Sequence, residues 1–238
     1  MDLKEINNGI DPASHWYFKV KRRLLVEQVP KNCASSVDVG AGSKFFSYEL
    51  AKVKSMSSVF SIDPNFETEV IENLNQCQVT SLQSHGSQIK NAQFWVFMDV
   101  IEHIEDDVEF LRSYVEISPS GSSFFITVPA FSFMWSQHDV SLGHFRRYTR
   151  KSLMNLITRA GLKELDSGYF YCSVFPLAYI QRKLISRFMP KNSDSSGLST
   201  QLPFLNRLLE LLVLGEFKIT RGFGKFPGLT VTCIATKP

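Results

Sequence analysis

The chain has 238 residues, 44% of them hydrophobic, enough for one large domain with a full core. A net charge of +3 is too weak to point to nucleic acid, and no nucleic-acid partner is expected. The longest apolar runs, around 169–180 and 208–214, fall well short of the roughly 20 residues that a spanning helix needs. The stretch Met1–Trp16 lacks the charged-then-apolar layout of a secretory signal. Cys33, Cys77, Cys172 and Cys233 lie far apart without metal-ligand spacing, which makes a reducing cytoplasm the expected location.

Short β-rich apolar runs alternate with helical stretches, the pattern of a mostly parallel sheet covered on both faces. The first strand is Ser35–Val39, closed by Gly40-Ala41-Gly42 and followed by a helix of about ten residues through Leu50. Val59–Ile62 runs into Asp63-Pro64; a helix over Glu67–Leu74 and a weaker strand near Val79–Leu82 follow. Phe94–Met98 is a buried strand, Asp106 to Ile117 a helix, and Phe124–Val128 another buried strand. Thr149 caps a helix that buries Leu153, Leu156, Ile157 and Ala160, and Gly161 stops it. Strands near Leu165–Tyr171 and Leu229–Ala235 complete the sheet. Between them, a helical insert of about 172–227 holds two amphipathic segments, Phe175–Met189 and Phe204–Phe217, joined by the polar stretch Lys191–Thr200.

Three features carry chemistry. Gly40 and Gly42, after a strand containing Asp38, let backbone approach a ligand closely at a helix N-terminus. Asp63 ends the next strand, where a carboxylate can accept both hydroxyls of an adenosine ribose. A third glycine is missing, because Lys44 and Phe45 follow Ser43; this disfavours a nicotinamide dinucleotide and favours a nucleoside without phosphates. The third feature is Met98-Asp99-Val100-Ile101-Glu102-His103, leaving the Phe94–Met98 strand.

In this order the three resemble the motif set of class I S-adenosylmethionine (SAM)-dependent methyltransferases, over about residues 15 to 165. The nearest branch is that of bacterial small-molecule, lipid- or glycan-pathway enzymes, similar to the ubiquinone-pathway O-methyltransferases. The resemblance implies a single α/β domain: a doubly wound, Rossmann-like, seven-stranded sheet with an antiparallel last strand. It also implies that Gly40 and Gly42 pass beneath the methionine part of SAM and that Asp63 holds the ribose. Met98 would offer backbone at the rim, and Leu82 and Gln83 would lie near the adenine. Two departures touch adenine recognition: Gln83-Ser84 stands where a carboxylate is frequent, and Trp95 where an Asp is usual.

By the same resemblance, a lid over about residues 1–30 closes on the cofactor through Trp16 and a basic residue, Lys21 or Arg22. The stretch His138-Asp139 to Gly143-His144-Phe145-Arg146-Arg147-Tyr148 falls above the strand ends, where ligands bind in such sheets. For a hydroxyl acceptor, His138 or His144 is the candidate base, and Arg146 or Arg147 the candidate holder of an anionic acceptor. Asp99, Glu102 and His103 resemble the set that binds Mg²⁺ in some O-methyltransferases; the same string is common in metal-free relatives, and no metal is included in the expected site. The expected reaction is methyl transfer from SAM, which leaves S-adenosylhomocysteine, to oxygen on a small-molecule, lipid-linked or glycan-linked acceptor. The alternative is an inactive SAM-binding scaffold or sensor. The apolar stripes of the insert suit core packing, a homodimer face or peripheral contact with the inner face of a membrane.

Overall fold

A computed structural model describes residues 11–182 and 203–238. Eight strands form one sheet: β1 (Ser35–Val39), β2 (Ser58–Ile62), β3 (Val70–Leu74), β4 (Cys77–Leu82), β5 (Phe94–Met98), β6 (Ser123–Pro129), β7 (Lys163–Phe170) and β8 (Thr230–Thr236). Their order is β3-β4-β2-β1-β5-β6-β8-β7. The β4, β2, β1, β5 and β6 strands run parallel, whereas β8 is antiparallel to both β6 and β7. This is the expected doubly wound sheet with an antiparallel last strand. The chain leaves β1 toward β2 on one side and later returns to β5 on the other, so the strand order reverses beside β1. Open α/β sheets bind ligands at such a crevice.

One element differs from expectation. Residues 67–74 were expected as a helix, but β3 is a strand that pairs antiparallel with β4. Val70, Ile71 and Leu74 suit either period, and the turn decides between them. Asn75 takes a φ of +57°, and Leu74 pairs directly with Cys77, which closes a tight hairpin. Tyr48 donates to Glu72, and Lys44 forms an ion pair with it, fastening the hairpin to the helix after β1. The hairpin adds an eighth strand to the seven expected.

Seven α-helices surround the sheet among the described residues: α1 (Trp16–Gln28), α2 (Phe45–Ala51), α3 (Asp107–Ile117), α4 (Gln137–Leu142), α5 (Arg150–Arg159), α6 (Phe175–Ile180) and α7 (Pro203–Thr220). Leu111 and Val115 of α3 and Leu153 and Ile157 of α5 bury against Trp95, Phe97 and Phe124 on one face. Leu24 of α1, Leu50 of α2 and Val213 and Phe217 of α7 bury against Val59, Phe94, Val96 and Phe125 on the other. The Thr149 hydroxyl accepts from the Ser152 N–H at 3.2 Å, the expected cap of α5.

Among its described residues the insert carries α6 and α7. Leu209, Val213 and Phe217 are core, whereas Phe204, Leu208, Leu211 and Leu212 of α7 are exposed. The second half of the expected Phe175–Met189 segment and the Lys191–Thr200 stretch lie outside the described residues. No described helix is long and apolar enough to cross a membrane.

Candidate functional site

The site is built at the C-terminal ends of β1, β2, β5 and β6. After β1, the Gly40 and Ala41 N–H groups donate to the Ile62 carbonyl at 2.7 and 3.0 Å, folding the glycine loop over the end of β2. Gly40 and Gly42 have φ of +72° and +51°, and a Cβ on Gly40 would lie 2.5 Å from the Val100 Cγ2. Gly40 is therefore required twice, by its backbone and by the close approach of the chain leaving β5. Asp38 is buried on β1 and accepts from the Ser47 hydroxyl at 2.6 Å, which secures the start of α2.

Asp63 stands beside this loop. Its Oδ2 accepts from Gly42 N–H at 2.8 Å, and its Oδ1 accepts from the Asn65 backbone and side-chain N–H groups at 2.9 and 2.8 Å. These three donors leave about one of the roughly four acceptor positions of a carboxylate. Leu82 is buried at the end of β4, whereas Gln83 is exposed and donates to the Pro64 carbonyl at 3.4 Å.

On the other side of the crevice, Met98 is buried at the end of β5, and Asp99 follows it with a φ of +55°. Asp99 accepts from Thr127 Oγ1 at 2.9 Å and Tyr17 Oη at 3.2 Å, and forms an ion pair with Lys21 Nζ. Lys21 is 1% exposed. Burial opposes the charge on Asp99, but the Lys21 ammonium and the bonds from Lys21 and Thr127 outweigh it and hold the carboxyl below its ordinary value. Sequence alone left Lys21 and Arg22 as alternatives. The structure brings Lys21 to the strand ends, whereas Arg22 is half exposed and pairs with Glu49 at 3.6 Å.

Trp16 is buried at the start of α1, where its backbone N–H donates to Asn206 Oδ1 of α7 at 2.9 Å. Tyr17 stacks on Tyr171, the rings 5.2 Å apart, and Tyr171 Oη donates to the Tyr17 carbonyl. Tyr171 and Asn206 belong to this arrangement although no local pattern marks them. Tyr171 has a φ of +62° just beyond β7, and only the fold carries it to α1.

The loop after β6 is knotted around Asp139, which is 0% exposed. Asp139 accepts from Arg147 Nε and Nη2 at 2.7 and 3.1 Å, from Ser136 N–H at 2.8 Å, and pairs with His144 Nδ1 at 2.9 Å. These bonds outweigh burial and hold its carboxyl well below the usual range. Arg147 also donates to the Ala130 carbonyl, while Arg146 pairs with Asp107 and donates to the Glu105 carbonyl. Both arginines thus bond to the protein itself, and their charges neutralise Asp139 and Asp107. His138 is half-buried beside Asp139, and burial, reinforced by the Arg182 charge, lowers its pKa.

No family model matches the chain, and no curated relative does. Solved structures do resemble it. A chain from the complex of the Haloferax volcanii Trm112 methyltransferase activator with a protein named there as a methyltransferase has a TM-score of 0.57 at 14% identity, covering 94% of this chain and 90% of that one. A SAM-dependent methyltransferase from Archaeoglobus fulgidus has a TM-score of 0.53 at 15% identity, covering 91% and 94%. The (4+2)-cyclase SpnF has a TM-score of 0.54 at 10% identity, covering 91% and 79%. At these identities the likeness establishes the fold alone, one shared by methyltransferases and by a cyclase.

Proposed function

We propose that the chain is a SAM-dependent methyltransferase acting on a hydroxyl of a small-molecule, lipid-linked or glycan-linked acceptor. The observation that carries this reading is the meeting of Gly40, Gly42 and Asp63 at the point where the strand order reverses. Left-handed glycines allow a ligand to lie against the backbone, and Asp63 keeps an acceptor position for a ribose hydroxyl. A second hydroxyl would displace one Asn65 donor. Met98 offers backbone at the opposite rim, Leu82 an apolar wall, and the Lys21–Asp99 pair a fixed charge arrangement beneath α1. When bound, SAM supplies an electrophilic methyl group.

The remaining work falls to side chains of the loop after β6. Burial lowers the His138 pKa and favours its neutral form, the form that takes the proton of an acceptor hydroxyl. Phe133, Phe175 and Tyr179 form an aromatic group nearby, with Phe133 and Leu177 more than half exposed. That lip suits an apolar or lipid-linked acceptor.

A second reading, a SAM-binding scaffold without transfer activity, is favoured by one observation: Arg146 and Arg147 are engaged by internal carboxylates. Calorimetric titration with SAM and S-adenosylhomocysteine tests both. Micromolar binding that collapses in Asp63→Ala supports the cofactor site, and turnover with an acceptor library then separates enzyme from scaffold. Absence of binding by the wild-type protein defeats both readings.

A further inference from the structure

Buried polar atoms of three residues converge beside the candidate site without a hydrogen-bond partner. Glu102 is 0% exposed at the end of the β5 loop, and neither of its carboxylate oxygens is bonded. The Nε2 atoms of His103 and His144 are likewise buried and unpartnered. One ligand atom from each of the three residues lies within 4.8 Å of the others. An unpaired buried polar group is destabilising, so three such groups aimed at one point are unfavourable unless something binds there.

The backbone holds the group together. Glu102 and His103 share the 3₁₀ turn Ile101–His103, and the Phe145 N–H donates to the Glu102 carbonyl at 2.8 Å, which docks the His144 loop on that turn. The imidazole rings of His103 and His144 stand nearly perpendicular, 4.6 Å apart. Each ring is also oriented from outside. His144 Nδ1 faces the Asp139 carboxylate, itself fixed by Arg147, and the His103 ring bonds to the Leu142 carbonyl. Carboxylate and carbonyl acceptors behind imidazoles are the usual outer support of metal-ligating histidines, leaving the other nitrogen's lone pair directed inward.

We infer that Glu102, His103 and His144 form a divalent transition-metal site. Two imidazole nitrogens and one carboxylate suit Zn²⁺ and its neighbours, whereas Mg²⁺ and Ca²⁺ favour oxygen ligands. Ligands at 2.0–2.2 Å from one ion lie about 3–3.5 Å apart, so the three side chains draw together on binding. At least one coordination position remains for water or a ligand oxygen. Asp99 is not part of the set, because Lys21, Tyr17 and Thr127 occupy its carboxylate. From the sequence, Asp99, Glu102 and His103 only resembled an Mg²⁺-binding set, and no metal was included in the expected site. The site does not depend on the methyltransferase reading.

The test is metal titration of the chelator-treated full chain with Zn²⁺, and with Co²⁺ followed by its visible absorption. Expected are one ion per chain, a ligand-field spectrum unlike that of aqueous Co²⁺, and no competition from millimolar Mg²⁺. Glu102→Gln and His144→Gln should each weaken binding by more than the roughly 10- to 100-fold typical of an outer-shell change, and Asp139→Asn by about that amount. His85→Gln, a histidine packed on Tyr114 instead, should bind as wild type. Absence of a stoichiometric site in the wild-type protein, or undiminished binding in both ligand variants, overturns the assignment. Circular dichroism identifies any variant that fails to fold, and in that case the wild-type Co²⁺ spectrum decides. None of these measurements uses SAM, so failure here is distinguishable from failure of the cofactor reading.

Discussion

Asp99 and Asp139 are both buried aspartates beside the same strand ends, yet their charges are balanced by different routes. Asp99 depends on Lys21, 78 positions earlier in the chain and carried in on α1. Asp139 is neutralised by Arg147, eight positions later on its own loop, with His144 and Ser136 completing the shell. The Asp139 knot is local and makes its loop a self-contained platform. The Asp99 pair is a long-range fastening that ties the N-terminal helix to the sheet, so the two predict different failures when broken.

The largest effect is expected for Arg147→Ala. It leaves Asp139 charged and buried with its bidentate partner gone, a loss of about 3–5 kcal/mol that chemical denaturation will show. Lys21→Ala should cost somewhat less, about 3 kcal/mol at pH 7, because Asp99 can take up a proton. Here the comparison sharpens with pH. In the wild type, Asp99 is held below its ordinary value, so its contribution is complete above about pH 4 and disappears as pH falls through the folded value. Without the ammonium, burial raises the Asp99 pKa and stability falls as pH rises. The gap between wild type and Lys21→Ala should therefore widen from pH 4 to pH 7 in urea titrations; a constant gap would break the account.

A smaller effect is expected at the seam between the halves. Gly40→Ala combines a left-handed φ with a contact to Val100 and should cost about 1–2 kcal/mol. The double variant with Val100→Ala should recover the contact part only. Smallest of all is Arg22→Ala, whose half-exposed pair with Glu49 is worth well under 1 kcal/mol. Arg22→Ala should leave both thermal melting and SAM affinity near wild type, in contrast to Lys21→Ala.

These contrasts also explain what the sequence made legible. Thr149 and Gly161 were readable because capping is decided by neighbours a turn away. The strands flanking the glycine loop were readable because each is a short, almost continuously buried run. Residues 67–74 were misread as helix because three apolar positions fit both periods, and the deciding information lay in Asn75 and in pairing with β4. Within the site, Gly40, Asp63 and Met98 were marked by their places at strand ends. The basic residue of the lid was ambiguous between Lys21 and Arg22, since only the facing of α1 distinguishes them. The pairing of Arg147 with Asp139 was not legible, because a sequence shows charges without showing which are already neutralised.

The fastening of α1 has a further consequence for how the chain is made. Trp16 bonds to Asn206, Lys19 pairs with Glu210, and Gln28 reaches the Arg221 carbonyl. During synthesis, therefore, the first helix waits for the last one. Until residues beyond 200 leave the ribosome, Leu24, Leu25 and Phe18 have no complete apolar surface to cover them, and the long loop must close before these contacts reward it. Until then the nascent segment would carry a sticky amphipathic helix, making it a natural client for chaperones.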